Sequence, residues 1–188
     1  GVWLVPETPT DKALIRVSDA TNPSMYDVSD KNFTIAQLKI LAPNGGERIK
    51  ALSNYTIRWQ NAFTSNKVII EYSTNSGNSW NLITNNASVS SKQYNWNVPD
   101  IISNTFRIKI SDSLNTYIYD VSDSNFTIYK PEITLLTFNS GKYQAGKTYP
   151  IRWNSQNVAN VTIQYSLNNG NNWHNIITNY PAVNGIYN

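Results

Sequence analysis

The chain repeats itself after about 93 residues, and that period decides what it can fold into. Trp3-x-Val5-Pro6 returns as Trp96-x-Val98-Pro99. Tyr26-Asp27-Val28-Ser29-Asp30-x-Asn32-Phe33-Thr34-Ile35 returns as Tyr119-Asp120-Val121-Ser122-Asp123-x-Asn125-Phe126-Thr127-Ile128. Both pairs are 93 residues apart. Farther on, Ile57-Arg58-Trp59 matches Ile151-Arg152-Trp153, and Glu71-Tyr72-Ser73-x-Asn75-x-Gly77-Asn78-x-Trp80 matches Gln164-Tyr165-Ser166-x-Asn168-x-Gly170-Asn171-x-Trp173, at offsets of 94 and 93. A period of this length is one small sandwich domain.

Alternation within the period predicts strands. Tyr55, Ile57 and Trp59 share one face, as do Val68, Ile70 and Tyr72, then Tyr94, Trp96 and Val98, then Phe106, Ile108 and Ile110. Turn residues fall between them at Pro43-Asn44-Gly45-Gly46, Asn75-Ser76-Gly77-Asn78 and Val98-Pro99-Asp100. The chain is crowded with Asn, Ser, Thr, Tyr, Ile and Val and poor in the residues that build helices. The expected fold is all-β: tandem immunoglobulin-like sandwiches with about seven strands per repeat.

The phase of the repeat sets the domain expectation. Residues 38–130 make one complete repeat, residues 1–37 match only its second half, and residues 131–188 match only its first half. A half-sandwich exposes an apolar face and strand edges, so neither end is expected to be stable alone. Two origins stay open: an excerpt from a longer tandem array cut out of phase, or a subunit whose last half pairs with the first half of the next to build a filament by strand exchange. The excerpt is the simpler, because such repeats usually come in long runs.

Charge and composition exclude several classes of function. The net charge of +3 is small, and cations such as Lys39, Lys67, Arg107, Lys109 and Lys130 are scattered rather than gathered into a stripe, which argues against a nucleic-acid partner. No apolar run approaches the roughly 20 residues of a membrane-spanning helix, so no membrane insertion is expected. Without cysteine there is no disulfide, thiolate metal site or thiol nucleophile.

Several motifs together resemble a known family. These are Pro-Asn-Gly-Gly-Glu at 43–47, Tyr-Thr-Ile-Arg-Trp at 55–59, Ile-Glu-Tyr-Ser-Thr-Asn-Ser-Gly-Asn-Ser-Trp at 70–80, Tyr-Asn-Trp-Asn-Val-Pro at 94–99, Arg-Ile-Lys-Ile-Ser-Asp at 107–112 and Asp-Val-Ser-Asp-x-Asn-Phe-Thr-Ile at 120–128. The pattern resembles the Ig-like repeats of secreted Bacteroidetes proteins, related to the yeast cell-wall-synthesis-type Ser/Thr-rich domain. The resemblance implies a secreted, cell-surface location, reached by a type IX secretion route, in adhesins, surface filaments or spacers beside hydrolases. It implies no activity. The third copy departs from the pattern with Phe138-Asn139-Ser140-Gly141 in place of Pro43-Asn44-Gly45-Gly46, so its opening turn is expected to differ.

Candidate sites are few. The six tryptophans pair as 3 with 96, 59 with 153 and 80 with 173. Trp59 and Trp96 lie on apolar faces and read as core. Trp80 and Trp173 follow a hairpin turn and are the ligand candidates, a sugar-stacking platform with Tyr117, Tyr119 and Tyr129 as companions. Asp112, Asp120 and Asp123, echoing Asp19, Asp27 and Asp30, are the candidates for calcium, the one cofactor considered; their spacing fits no EF-hand, and Asp at strand ends commonly caps turns. The only histidine, His174, has no counterpart in the complete repeat, so no Ser-His-Asp unit recurs, and nothing sets Asp120 and Asp123 across a cleft as glycosidase acids. No catalytic residue is expected. Asn-x-Thr triplets at Asn32, Asn54 and Asn125 arise by chance in an Asn-rich chain, while Asp112-Ser113-Leu114 matches a short O-glycosylation signal tied to the family resemblance.

The expectation is therefore a rod of Ig-like sandwiches for extension, linkage or self-assembly, whose partners are neighbouring copies of the same repeat or subunit. Trp59, Tyr72, Trp80, Trp96, Phe106 and Phe126 would carry the fold. The alternative is a carbohydrate-binding accessory module of a secreted glycan hydrolase, with surface polysaccharide as partner.

Overall fold

The computed structural model describes residues 1–188, which form an all-β chain in two compact units, Gly1–Ile128 and Tyr129–Asn188. In the first unit, β1 (Thr10–Ala13) pairs with β4 (Phe33–Ile35), and β2 (Arg16–Ser18) with β3 (Tyr26–Val28). Only Ala36 separates β4 from β5 (Gln37–Ala42). There follow β6 (Arg48–Lys50), β7 (Asn54–Ala62), β8 (Lys67–Ser73), β9 (Asn81–Ser88), β10 (Gln93–Asn97), β11 (Ser103–Asp112), β12 (Tyr119–Val121) and β13 (Phe126–Tyr129). The repeat boundary expected at 37/38 is one of phase rather than compactness. Residues 1–37 belong to the same unit as the complete repeat, and the Gln37 amide donates to the Glu7 carbonyl at 3.3 Å.

Two sheets make the complete repeat. One runs β10-β7-β5, the other β6-β13-β11-β8-β9 with β12 on the far part of β11. The repeat thus has nine strand segments at seven positions. β5 and β6 are successive pieces of one edge strand that leaves the first sheet and joins the second after the turn at 43–46. β12 and β13 are two pieces of a last strand, both paired with β11. The first and last strands lie side by side: Gly46 N–H donates to Asn125 O and Thr127 N–H to Glu47 O, so the partners advance together.

Alternation packs the core. The inward rows Ile57/Trp59, Val68/Ile70, Phe106/Ile108/Ile110 and Phe126/Ile128 meet between the sheets and are all buried. Tyr72 stacks on Phe106 at 5.8 Å between centroids, and Trp96 stands edge-on to Phe126 at 6.5 Å. Of the residues expected to carry the fold, Trp80 alone is misplaced: it is half-buried and outside the core cluster. It follows a turn rather than standing on a strand, so the strand alternation does not reach it.

The turn at 43–46 is tied down on every side. The Glu47 carboxylate accepts from Asn44 N–H at 2.7 Å and Gly45 N–H at 2.8 Å, while the Asn44 side chain exchanges hydrogen bonds with Asp123. Gly45 has φ +133°, and a Cβ there would sit 1.9 Å from Ser124 Oγ and 3.1 Å from Ser124 Cα. Gly45→Ala is therefore expected to destabilise the complete repeat by roughly 1–3 kcal/mol through combined strain and overlap. Urea unfolding would check it, and a midpoint equal to wild type would contradict the tight turn.

In the second unit, β14 (Glu132–Leu135), β15 (Ile151–Gln156) and β18 (Ile186–Tyr187) form one sheet in the order β14-β15-β18, and β16 (Asn160–Tyr165) pairs with β17 (His174–Pro181). Its small core is Trp153, Val161 and Ala182. The opening turn differs as expected. Phe138 takes φ 61°, its ring lies 4.4 Å from that of Tyr143, and Tyr143 meets Tyr149 at 5.2 Å. The hairpin loop, by contrast, is copied. Ser73 Oγ accepts from Asn75 and Gly77 N–H at 3.2 and 2.8 Å, and Ser166 Oγ accepts from Asn168 and Gly170 N–H at 3.3 and 2.9 Å.

Candidate functional site

The outer face of the five-position sheet carries the residues most able to meet a ligand. On β11, Arg107 and Lys109 alternate outward while Phe106, Ile108 and Ile110 point into the core. With Trp80, Gly77 and the β12 residue Tyr119 they line an open groove of about 540 Å³. Lys109 Nζ lies 5.3 Å from the Trp80 ring centroid and 2.7 Å from the Glu71 carboxylate. Arg107 Nε donates to Asn125 Oδ1 at 2.8 Å, and Asn125 in turn donates to Ser76 Oγ at 2.9 Å.

Both cations are thus held by protein partners as well as by the groove. A neutral ring face with fixed donors around it suits stacking and hydrogen bonding. Of the companions expected for Trp80, Tyr119 reaches the groove, Tyr117 is exposed and does not line it, and Tyr129 begins the other unit. Arg107 and Lys109 are the groove residues that the sequence shows only as scattered cations. Only the three-dimensional meeting of β11 with the 75–80 turn marks them.

Trp173 occupies the corresponding place in the second unit, over Gly170 at 3.6 Å from where its Cβ would be, but no cation lies over its ring and it is well exposed. The ring of His174 stacks on Tyr165 at 5.1 Å.

The three aspartates are not brought together, and no group of three or more His, Asp or Glu side chains is close enough to hold a metal ion. Asp112 is buried and accepts from the backbone N–H groups of Ser65, Leu114 and Asn115. Burial raises its pKa, but these donors outweigh burial and hold the carboxyl below its ordinary value of 3.8. Asp120 Oδ2 accepts from Ile40 N–H at 2.7 Å, joining the last strand to the first. Asp123 Oδ2 accepts from the Asn44 amide at 2.6 Å. Each closes a different turn or strand junction.

No protein-family model, curated protein or solved structure matches this chain.

Proposed function

We propose that the chain is a non-catalytic structural repeat module of an extracellular surface protein or filament, working by extension and linkage between neighbouring copies. One observation carries this reading: the same hydrogen-bonded turns are rebuilt at the repeat spacing, and the polar side chains that looked chemically active are engaged in closing them. The extracellular placement rests on the family resemblance. Antibodies against the chain should label intact cells of the source organism, and surface proteolysis should remove the label. Signal confined to lysed cells would overturn the reading.

The groove beside Trp80 favours a second reading, a carbohydrate-binding accessory module. Native gels cast with and without polysaccharide separate the two. A structural module should migrate alike in both, and Trp80→Ala should cost only about 0.5–1 kcal/mol, from the lost contact with Lys109. Retardation by polysaccharide that Trp80→Ala abolishes would replace the structural reading with the carbohydrate one.

A further inference from the structure

Lys109 is neutralised by Glu71, 2.7 Å away, but Arg107, its neighbour on the outer face of β11, has no acidic partner. The Arg107 Nε donates to Asn125 Oδ1, which fixes the plane of the guanidinium, and the two terminal nitrogens make no hydrogen bond within the chain. A guanidinium held by one edge presents the other as a ready fork for two oxygens of one anion. The side chain is half-buried, so its charge is screened less than on an open surface. With Lys109 and Glu71 cancelling, the groove keeps one uncompensated positive charge, and it lies on Arg107.

The repeat pattern does not call for an arginine here. In the earlier copy of this segment the same position holds Leu14, while Asn32 and Tyr26, the counterparts of Asn125 and Tyr119, are unchanged. The fork is thus an addition of the complete repeat to a frame that both copies share. Around it the groove is neutral and rich in hydroxyls. Tyr119 is 55% exposed, and the hydroxyl groups of Tyr119 and Thr116 have no partner in the chain. Ser76 Oγ accepts from Asn125 at 2.9 Å and keeps its own hydrogen to donate. The Trp80 ring closes one wall. A Cβ at Gly77 would sit 3.3 Å from that ring and 4.0 Å from Arg107 Cδ, so the glycine lets ring and arginine stem pack over the turn together.

We propose that this groove binds an acidic saccharide: the carboxylate of a uronic acid residue meets the Arg107 fork, its ring lies on Tyr119, and its hydroxyls meet Thr116 and Ser76. Three features select this class. The planar fork matches the two oxygens of a carboxylate. The exposed phenol offers an apolar face with a polar rim, as a sugar ring requires. The remaining wall is made of hydroxyls, each able to donate and accept, which pair with sugar hydroxyls in either sense. An acidic peptide would instead need a further unpaired cation for each further acid and an apolar socket for an anchoring side chain. The inference rests on the carbohydrate reading above, narrows it to one class of sugar, and moves its centre from Trp80 to Arg107.

Calorimetric titration of the full chain with a short oligomer of galacturonic acid tests this. The acid form should bind, and its methyl ester, which keeps every hydroxyl and loses the charge, should bind at least about tenfold more weakly. Arg107→Gln should weaken binding of the acid form by a similar factor. Lys39→Gln, which removes an exposed cation from the other sheet, should leave it within about twofold. Tyr119→Ala, at an exposed position, should also weaken binding while the repeat melts as in wild type, which separates a lost site from a lost fold. Equal affinity for acid and ester would overturn the inference and leave the carbohydrate reading standing. So would Lys39→Gln weakening binding as much as Arg107→Gln, or polyglutamate of equal charge binding as tightly, since either would mean general attraction between a basic chain and a polyanion. Binding of neither form would overturn it as well, and the polysaccharide gels then decide the carbohydrate reading separately.

Discussion

Trp59→Ala should lower the stability of the complete repeat by about 3–5 kcal/mol, enough to unfold a domain of ordinary marginal stability. The indole is buried between the sheets at 1% exposure, among β-branched and aromatic side chains that cannot collapse into the space without leaving their rotamers. Its Nε1 has no hydrogen-bond partner, so the loss is one of packing and apolar burial rather than of a polar contact. Chemical denaturation followed by far-ultraviolet circular dichroism would read it. Unchanged thermal stability would remove Trp59 from the core.

The second large effect is expected at Asp112. Asp112→Ala leaves the Ser65, Leu114 and Asn115 N–H groups without their acceptor, at a cost of roughly 2–4 kcal/mol. The same carboxylate makes stability depend on pH. Its folded-state pKa lies below the ordinary 3.8 because the three N–H donors outweigh the raising effect of burial. Its contribution is therefore full above the unfolded-state value and is lost as pH falls below about 4, through the folded-state value. Unfolding midpoints measured from pH 6 down to pH 2 should fall more steeply for wild type than for Asp112→Asn. Parallel curves would mean that the carboxylate is not held in its ionised form by these donors.

How much of this was legible in the sequence depends on what each residue's neighbours in sequence could say. The core rows of β7, β8, β10 and β11 follow from alternation, because a period of two fixes which side chains share a face. Trp80 sits where alternation stops, so no strand pattern decides between core and surface for it, and it is a half-buried ring packed over the glycine turn. The split edge strand was hidden because the 43–46 turn reads as a strand end, whereas β6 continues the strand into the other sheet. The aspartates looked like a cluster because they are close in sequence. In space Asp120 answers to Ile40 and Asp123 to Asn44, about 80 residues away, pairings that no local pattern encodes. The Trp80 groove was half legible: the aromatic pair Trp80 and Tyr119 could be named, and the two cations beside them could not.

The adjacency of β6 and β13 bears on how the module would carry load. A single residue, Ala36, leads into β5, and the chain leaves the repeat directly from the end of β13. Tension along the chain therefore pulls the first and last strands past each other lengthwise. The bonds at Gly46 and Thr127, with the Asp120 clasp on Ile40, then share the load and break together instead of unzipping in turn. The complete repeat would resist pulling at its ends better than its core packing alone implies.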